Sequence, residues 1–79
     1  MKDFPILEDE QVVVVRAQKS TGIILDETYN KLVSDDQNMF TIFQNIGVAN
    51  AYIEENKRTR NDIEFIIYGK GQIVLSFFQ

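Results

Sequence analysis

The sequence predicts an α+β fold: a single, mostly antiparallel sheet of four to five strands, packed on one main α-helix and ending in a C-terminal β-hairpin. Three observations predict it. Val12-Val13-Val14-Val15 is a run of β-branched residues that lose side-chain freedom in a helix and favour a strand. Ile46, Ala49 and Ile53 recur at helical spacing behind Asn45, a good N-cap. Two apolar runs, 63–68 and 72–78, flank Gly69-Lys70-Gly71. With 79 residues the chain makes one domain, 1–79, whose first ten residues read as an irregular arm. A hydrophobic fraction of 44% and a charged fraction of 25% place it among ordinary globular chains rather than disordered or fibrous ones.

Each element is justified in turn. In the arm, Pro5 and the acids Glu8, Asp9 and Glu10 oppose regular structure, while Phe4, Ile6 and Leu7 offer side chains to pin it down. Residues 11–17 form the first strand, and the absence of apolar/polar alternation predicts that both of its faces are covered. A turn at 18–22 leads to a short strand at 23–25, so 11–25 is expected to be a hairpin. Residues 26–33 are expected to make one or two helical turns capped by Asp26, with a continued strand as the competing reading. Ser34-Asp35-Asp36-Gln37-Asn38 is a polar loop, and 39–43 a short strand. The helix runs from its cap at Asn45 to about residue 60. Glu54 and Arg58 are placed for an i,i+4 pair, and Lys57, Arg58 and Arg60 lie where the helix dipole favours cations. For the final hairpin, a three-residue loop 69–71 with Gly71 in the left-handed region sorts the faces best. It pairs Ile63, Phe65 and Ile67 with Phe77, Leu75 and Ile73 towards the helix. The strands at 39–43 and 63–68 then flank a helical crossover.

That register leaves Ile66, Tyr68, Val74 and Phe78 on a face that one helix cannot cover. Either the arm and residues 26–33 cover it, or another chain does.

The chemistry the chain is equipped for is narrow. Cysteine and histidine are both absent, which removes disulfides, the commonest metal ligands and the usual activators of a serine nucleophile. Lys19-Ser20 reads as hairpin-turn chemistry. Adjacent acids such as Asp26-Glu27 and Glu54-Glu55 point apart on regular elements. Asp35-Asp36-Gln37-Asn38 lacks the glycine and the terminal glutamate of an EF-hand loop. Tyr68-Gly69-Lys70-Gly71 joins two strands, whereas a phosphate-binding loop opens a helix. Lys57-Arg58-Thr59-Arg60 is the one basic cluster, beside Glu54 and Glu55, in a chain of net charge −4. Nucleic acid is therefore not an expected partner. No apolar run reaches the roughly 20 residues of a membrane-spanning helix, and no membrane partner is expected. The N-terminus has no secretory pattern, so a cytoplasmic location is expected. No catalytic, metal-binding or cofactor-binding residue is assigned, and no cofactor is expected.

By elimination, the chain is expected not to be an enzyme but a small protein–protein interaction protein of bacterial or phage type. An immunity protein, an antitoxin or an inhibitor that masks an unidentified partner would fit, as would a homodimer. The candidate interface residues are Ile66, Val74, Phe78 and Tyr68, with Asp35 and Asp36 for a basic partner. The alternative is a small-molecule or metal-binding domain with a pocket between helix and sheet, using the polar tips of Tyr29, Tyr52, Tyr68 and Glu64.

Overall fold

The computed structural model describes residues 3–79; the first two residues of the expected arm lie outside the described residues. The elements are β1 (Val12–Gln18), β2 (Ile24–Leu25), β3 (Thr41–Phe43), α1 (Ile46–Lys57), β4 (Ile63–Gly69) and β5 (Ile73–Phe78). Among the described residues these make one five-stranded antiparallel sheet and one α-helix, the α+β architecture the sequence predicts.

The sheet is built around β1. One of its edges is shared by β2, which pairs at Arg16–Ala17, and β3, which pairs at Val12–Val14. Its other edge is taken by β4, and β4 carries β5 outside it. β3 and β4 both run antiparallel to β1, so they are parallel to each other with β1 between them, and α1 is the crossover that joins them. This explains the unalternating valines. Val12 and Val14 pack on the helix side with Ala49, Ile53, Phe65 and Ile67, while Val13 and Val15 pack on the opposite side with Leu7. All four valines are buried.

The helix starts as expected. Asn45 is extended, at φ −159° and ψ 171°, and its side-chain oxygen accepts the Val48 N–H at 2.9 Å. The helix ends earlier than predicted, at Lys57, and Arg58 pairs with Glu55 at i,i+3 (3.5 Å) instead of with Glu54. Ala49 and Ile53 enter the core, but Ile46 stays exposed because the first turn overhangs the edge of the sheet's covered area.

The second face is covered from within the chain, by the arm's Phe4 and Leu7 as expected and by Met39 and Phe40 in place of residues 26–33. Leu7 is buried, and Phe4 meets Phe40 and Tyr68 edge-on at 5.5 and 5.8 Å, with Met39 and Ile24 alongside. Ile6 takes no part, being 97% exposed. Residues 26–33 do not cover this face, and they form no helical turn. Asp26 instead folds an Asx turn, accepting the Thr28 and Asn30 N–H groups at 2.9 and 3.0 Å. Tyr29 takes a positive φ of 68° and turns its ring to the helix side. A side chain that satisfies local N–H groups competes directly with a helix's own ladder.

The final hairpin has the predicted loop length and a different register. The loop is Lys70-Gly71-Gln72, with Gly71 at φ 76° as expected and Gln72 also positive at 65°. Gly69 belongs to β4 and pairs with Ile73. The reason is steric. A Cβ on residue 69 would come within 3.1 Å of the Leu75 side chain, so the bare glycine is what lets Leu75 fold across it. The register then shifts between Ile67 and Tyr68, leaving Leu75 as the extra residue of a bulge, so that Phe65 pairs with Phe78. Phe78 therefore packs on the helix side, not on the opposite face where the sequence reading put it. Ile73, Leu75 and Phe77, expected in the core, are exposed.

Candidate interaction surface

β5 lies at the end of the sheet, so among the described residues its outer backbone edge has no neighbouring strand, and its first three side chains all meet solvent. The strand reads Ile73-Val74-Leu75-Ser76-Phe77-Phe78, without a charge or a proline. Ile73, Val74, Leu75 and Phe77 are 62, 58, 46 and 51% exposed. Val74 and Phe77 pair with Tyr68 and Ile66 on the face away from the helix. Leu75 leans across Gly69 on the helix side.

On that helix side a groove of about 450 Å³ opens between the first turn of α1 and the start of β5. Val12, Ile46, Ile73 and Leu75 give it apolar walls, and Glu10 and Lys70 stand at its rim. Lys70 reaches back to Asp9 at 3.1 Å, which ties the acidic turn of the arm to the start of β5. At the other end of the strand, the Lys57 ammonium at the close of α1 donates to the Gln79 carbonyl.

The predicted interface residues are only partly brought together. Ile66, Tyr68 and Val74 do share a face, but Ile66 and Tyr68 are half-buried and the arm's Phe4 covers part of Tyr68. Phe78 is on the other side. Asp35 and Asp36 are exposed on the loop that links β2 to β3, beyond the edge of β1 opposite to β4 and β5. That loop is organised by Gln37. Its amide donates to the Asp26 carboxylate (2.8 Å) and the Lys31 carbonyl (2.9 Å), and its oxygen accepts the Val33 and Ser34 N–H groups. The Ser34 hydroxyl donates to Asp36. The hydrogen bonds from Gln37 and Thr28 hold the Asp26 carboxyl well below the usual carboxylate range.

A second cluster is polar and was missed from the sequence. Arg16 is fully buried on the helix side of β1. Its Nη2 donates to Thr41 Oγ1 at 2.5 Å and makes a long contact with the Val14 carbonyl, and its Nε and Nη1 have no hydrogen-bond partner among the described residues. Among the described residues no carboxylate pairs with it; the Tyr29 ring stands 5.8 Å away, and the Arg60 guanidinium lies 4.1 Å over that same ring. The Tyr29 hydroxyl donates to Asn56 at 2.5 Å and lies 3.1 Å from that of Tyr52. Burial, reinforced by Tyr52, raises the Tyr29 phenol well above its ordinary range, so it is neutral near pH 7. Strand parity was the available signal: Arg16 shares its face with Val12 and Val14. Of the tyrosines expected to offer polar tips to a pocket, Tyr29 and Tyr52 thus spend them on each other and on Asn56, and Arg60 stacks on Tyr29 instead of extending a basic surface.

Among the described residues no three acidic side chains gather into a possible metal site, and no helix is long and apolar enough to cross a membrane. No protein-family model matches this chain, and neither a curated protein nor a solved structure is significantly similar to it.

Proposed function

We propose that this chain is a small, non-catalytic, cytoplasmic protein–protein interaction protein, of the kind that masks a partner as an immunity protein, an antitoxin or a phage-type inhibitor does. The observation that carries the reading is the β5 edge, where four large apolar side chains stand about half exposed on a strand with no charge and no proline. Natural edge strands are ordinarily blunted by lysine, proline, a bulge or a cover; β5 has the bulge at Leu75 but no charge or proline, which leaves it a template for pairing. The acidic arm turn beside it and the net charge of −4 favour basic partners and fast encounter with them. The test is affinity capture from the native cell with the wild-type chain and Phe77→Asp in parallel, followed by mapping of amide exchange on the purified complex. A stoichiometric partner that is lost with Phe77→Asp and slows exchange along β5 supports the reading. A reproducible enzymatic turnover abolished by Asp35→Ala would replace it.

The groove of about 450 Å³ favours a second reading, a small-molecule site with an apolar body and a polar rim. Fragment screening by amide chemical shifts separates the two: saturable shifts at Ile46, Gly69 and Ile73 that Ile73→Trp removes belong to a ligand site.

A further inference from the structure

We infer that the first occupant of the β5 edge is a second copy of this chain, paired β5 to β5, antiparallel, about a two-fold axis that passes through the Leu75–Ser76 bulge. The inference rests on the interaction reading above and names the partner. Charge selects the arrangement. Where β5 begins, the arm's Asp9 and Glu10 stand beside the strand through Lys70 and the groove; where it ends, Lys57 reaches over Gln79. An antiparallel pair sets the acidic end of each copy against the Lys57 end of the other, twice over, whereas a parallel pair sets like against like. Between the two ends β5 carries no charge, so the pairing opposes no like-charged side chains even though the whole molecule is acidic.

Shape argues the same way. The exposed residues lie on both sides of the sheet, with Ile73 and Leu75 towards the groove and Val74 and Phe77 on the other face. A ligand in the groove covers only the first pair. Continuation of the sheet past its edge covers both, and brings the end of the partner's β5 alongside the groove. Four half-exposed side chains of on the order of 100 Å² each, counted on both copies with the flanking groups, come to roughly 1,000–1,200 Å², the lower end of specific interfaces. The bulge at Leu75 fixes the register. A bulged strand bends, and it pairs poorly with a straight one. With the axis on the Leu75–Ser76 bulge the two bends coincide, and Val74 of each copy lies opposite Phe77 of the other, both on the face away from the helix.

The absence of cysteine makes this register directly testable. Opposed strand residues lie within disulfide reach, and residues displaced by three positions do not. Under mild oxidation Val74→Cys and Phe77→Cys are each expected to stay monomeric alone and to cross-link when mixed, whereas Ile73→Cys, on the other face, is expected not to cross-link with Phe77→Cys. Val33→Cys, 84% exposed on the loop between β2 and β3, is the control for random collision. Light scattering at about 100 µM should give twice the 9.2 kDa chain mass, falling to the monomer with Val74→Lys and shifting towards monomer in high salt, which screens the paired ends. A monomeric mass at every concentration, or a dimer whose cross-links ignore this pattern, overturns the inference. If the chain is monomeric and its cellular partner is still lost with Phe77→Asp, self-pairing fails and the interaction reading stands. If it is dimeric with the expected cross-links but captures no other protein, the masking of a foreign partner fails and self-pairing stands.

Discussion

Arg16 is the residue whose environment runs furthest against the rest of the core. A guanidinium stays charged at any accessible pH, and taking it out of water without a carboxylate costs several kcal/mol. Thr41 returns one hydrogen bond and Tyr29 a ring face. Replacing the charge by an apolar side chain of similar length should therefore be neutral or stabilising, and Arg16→Met is expected to raise stability by up to about 1–4 kcal/mol in urea unfolding. Thr41→Val should cost about 1–3 kcal/mol in the wild-type chain, because it strands the charge further, and close to nothing in the Arg16→Met background. A Thr41→Val cost that persists there would show that the threonine acts by packing alone. Asp26 behaves in the opposite way, as a charge the fold holds well. Its folded pKa is depressed, so its contribution is present above the unfolded value near 3.9 and is lost as pH falls through the folded value, below the usual carboxylate range. Asp26→Asn should lower the melting temperature most near neutral pH, and the gap to wild type should close in strong acid. A gap that stays constant with pH would assign the loss to packing rather than to charge.

At the scale of elements, what was legible followed from local rules, and what was not depended on neighbours in space. The valine run, the Asn45 cap, and the hairpin's three-residue loop length with Gly71 left-handed are all decided within a few residues, and each is found, the loop displaced by one residue to 70–72. Asn45→Ala is expected to cost about 1 kcal/mol by removing the bond to the Val48 N–H. Gly71→Val should cost about 1 kcal/mol or more, since a β-branched residue is strained at φ 76°. Melting curves check both, and an unchanged midpoint for Gly71→Val would mean that the loop relaxes to another turn. The hairpin register escaped because it was argued from sorting apolar side chains onto one face. The deciding fact is that Leu75 crosses Gly69, which no pattern of hydrophobicity encodes. Residues 26–33 escaped for a related reason: the partner that organises the Asp26 turn is Gln37, eleven positions away. Of the candidate interface, Val74 was placed correctly from parity alone, and Phe78 was misplaced by the one-residue bulge.

The whole molecule is a sheet with two unequal covers. The helix seals one face over β1 and β4, and a thin layer of Phe4, Leu7, Met39 and Phe40 seals the other. Leu7 is the buried anchor of that thin layer, so Leu7→Ala is expected to cost about 2–5 kcal/mol, and the loss should extend to Val13 and Val15 beneath it. Faster amide exchange across 12–15 in Leu7→Ala, with α1 unchanged, would localise the damage as argued; uniform acceleration would mean that the two covers unfold together. Of β5, only Phe78 packs under a cover; Ile73, Val74, Leu75 and Phe77 stay exposed. The exposed apolar surface is thus a consequence of how few residues there are to spread over five strands, and its longest contiguous stretch, Ile73-Val74-Leu75, lies at the start of β5.

The central position of β1 also has a consequence in time. Val14 must wait for Ile67, its partner on β4, and for Thr41 on β3 before both its edges are filled. Contacts so distant along the chain slow folding, because the loop must close before the contact is gained. A ribosome adding roughly 5–20 residues per second leaves the four valines without their β4 partners for about three to ten seconds. During that interval Val12–Val15 is a bare, uncharged strand in search of an edge, in a cell full of other nascent chains.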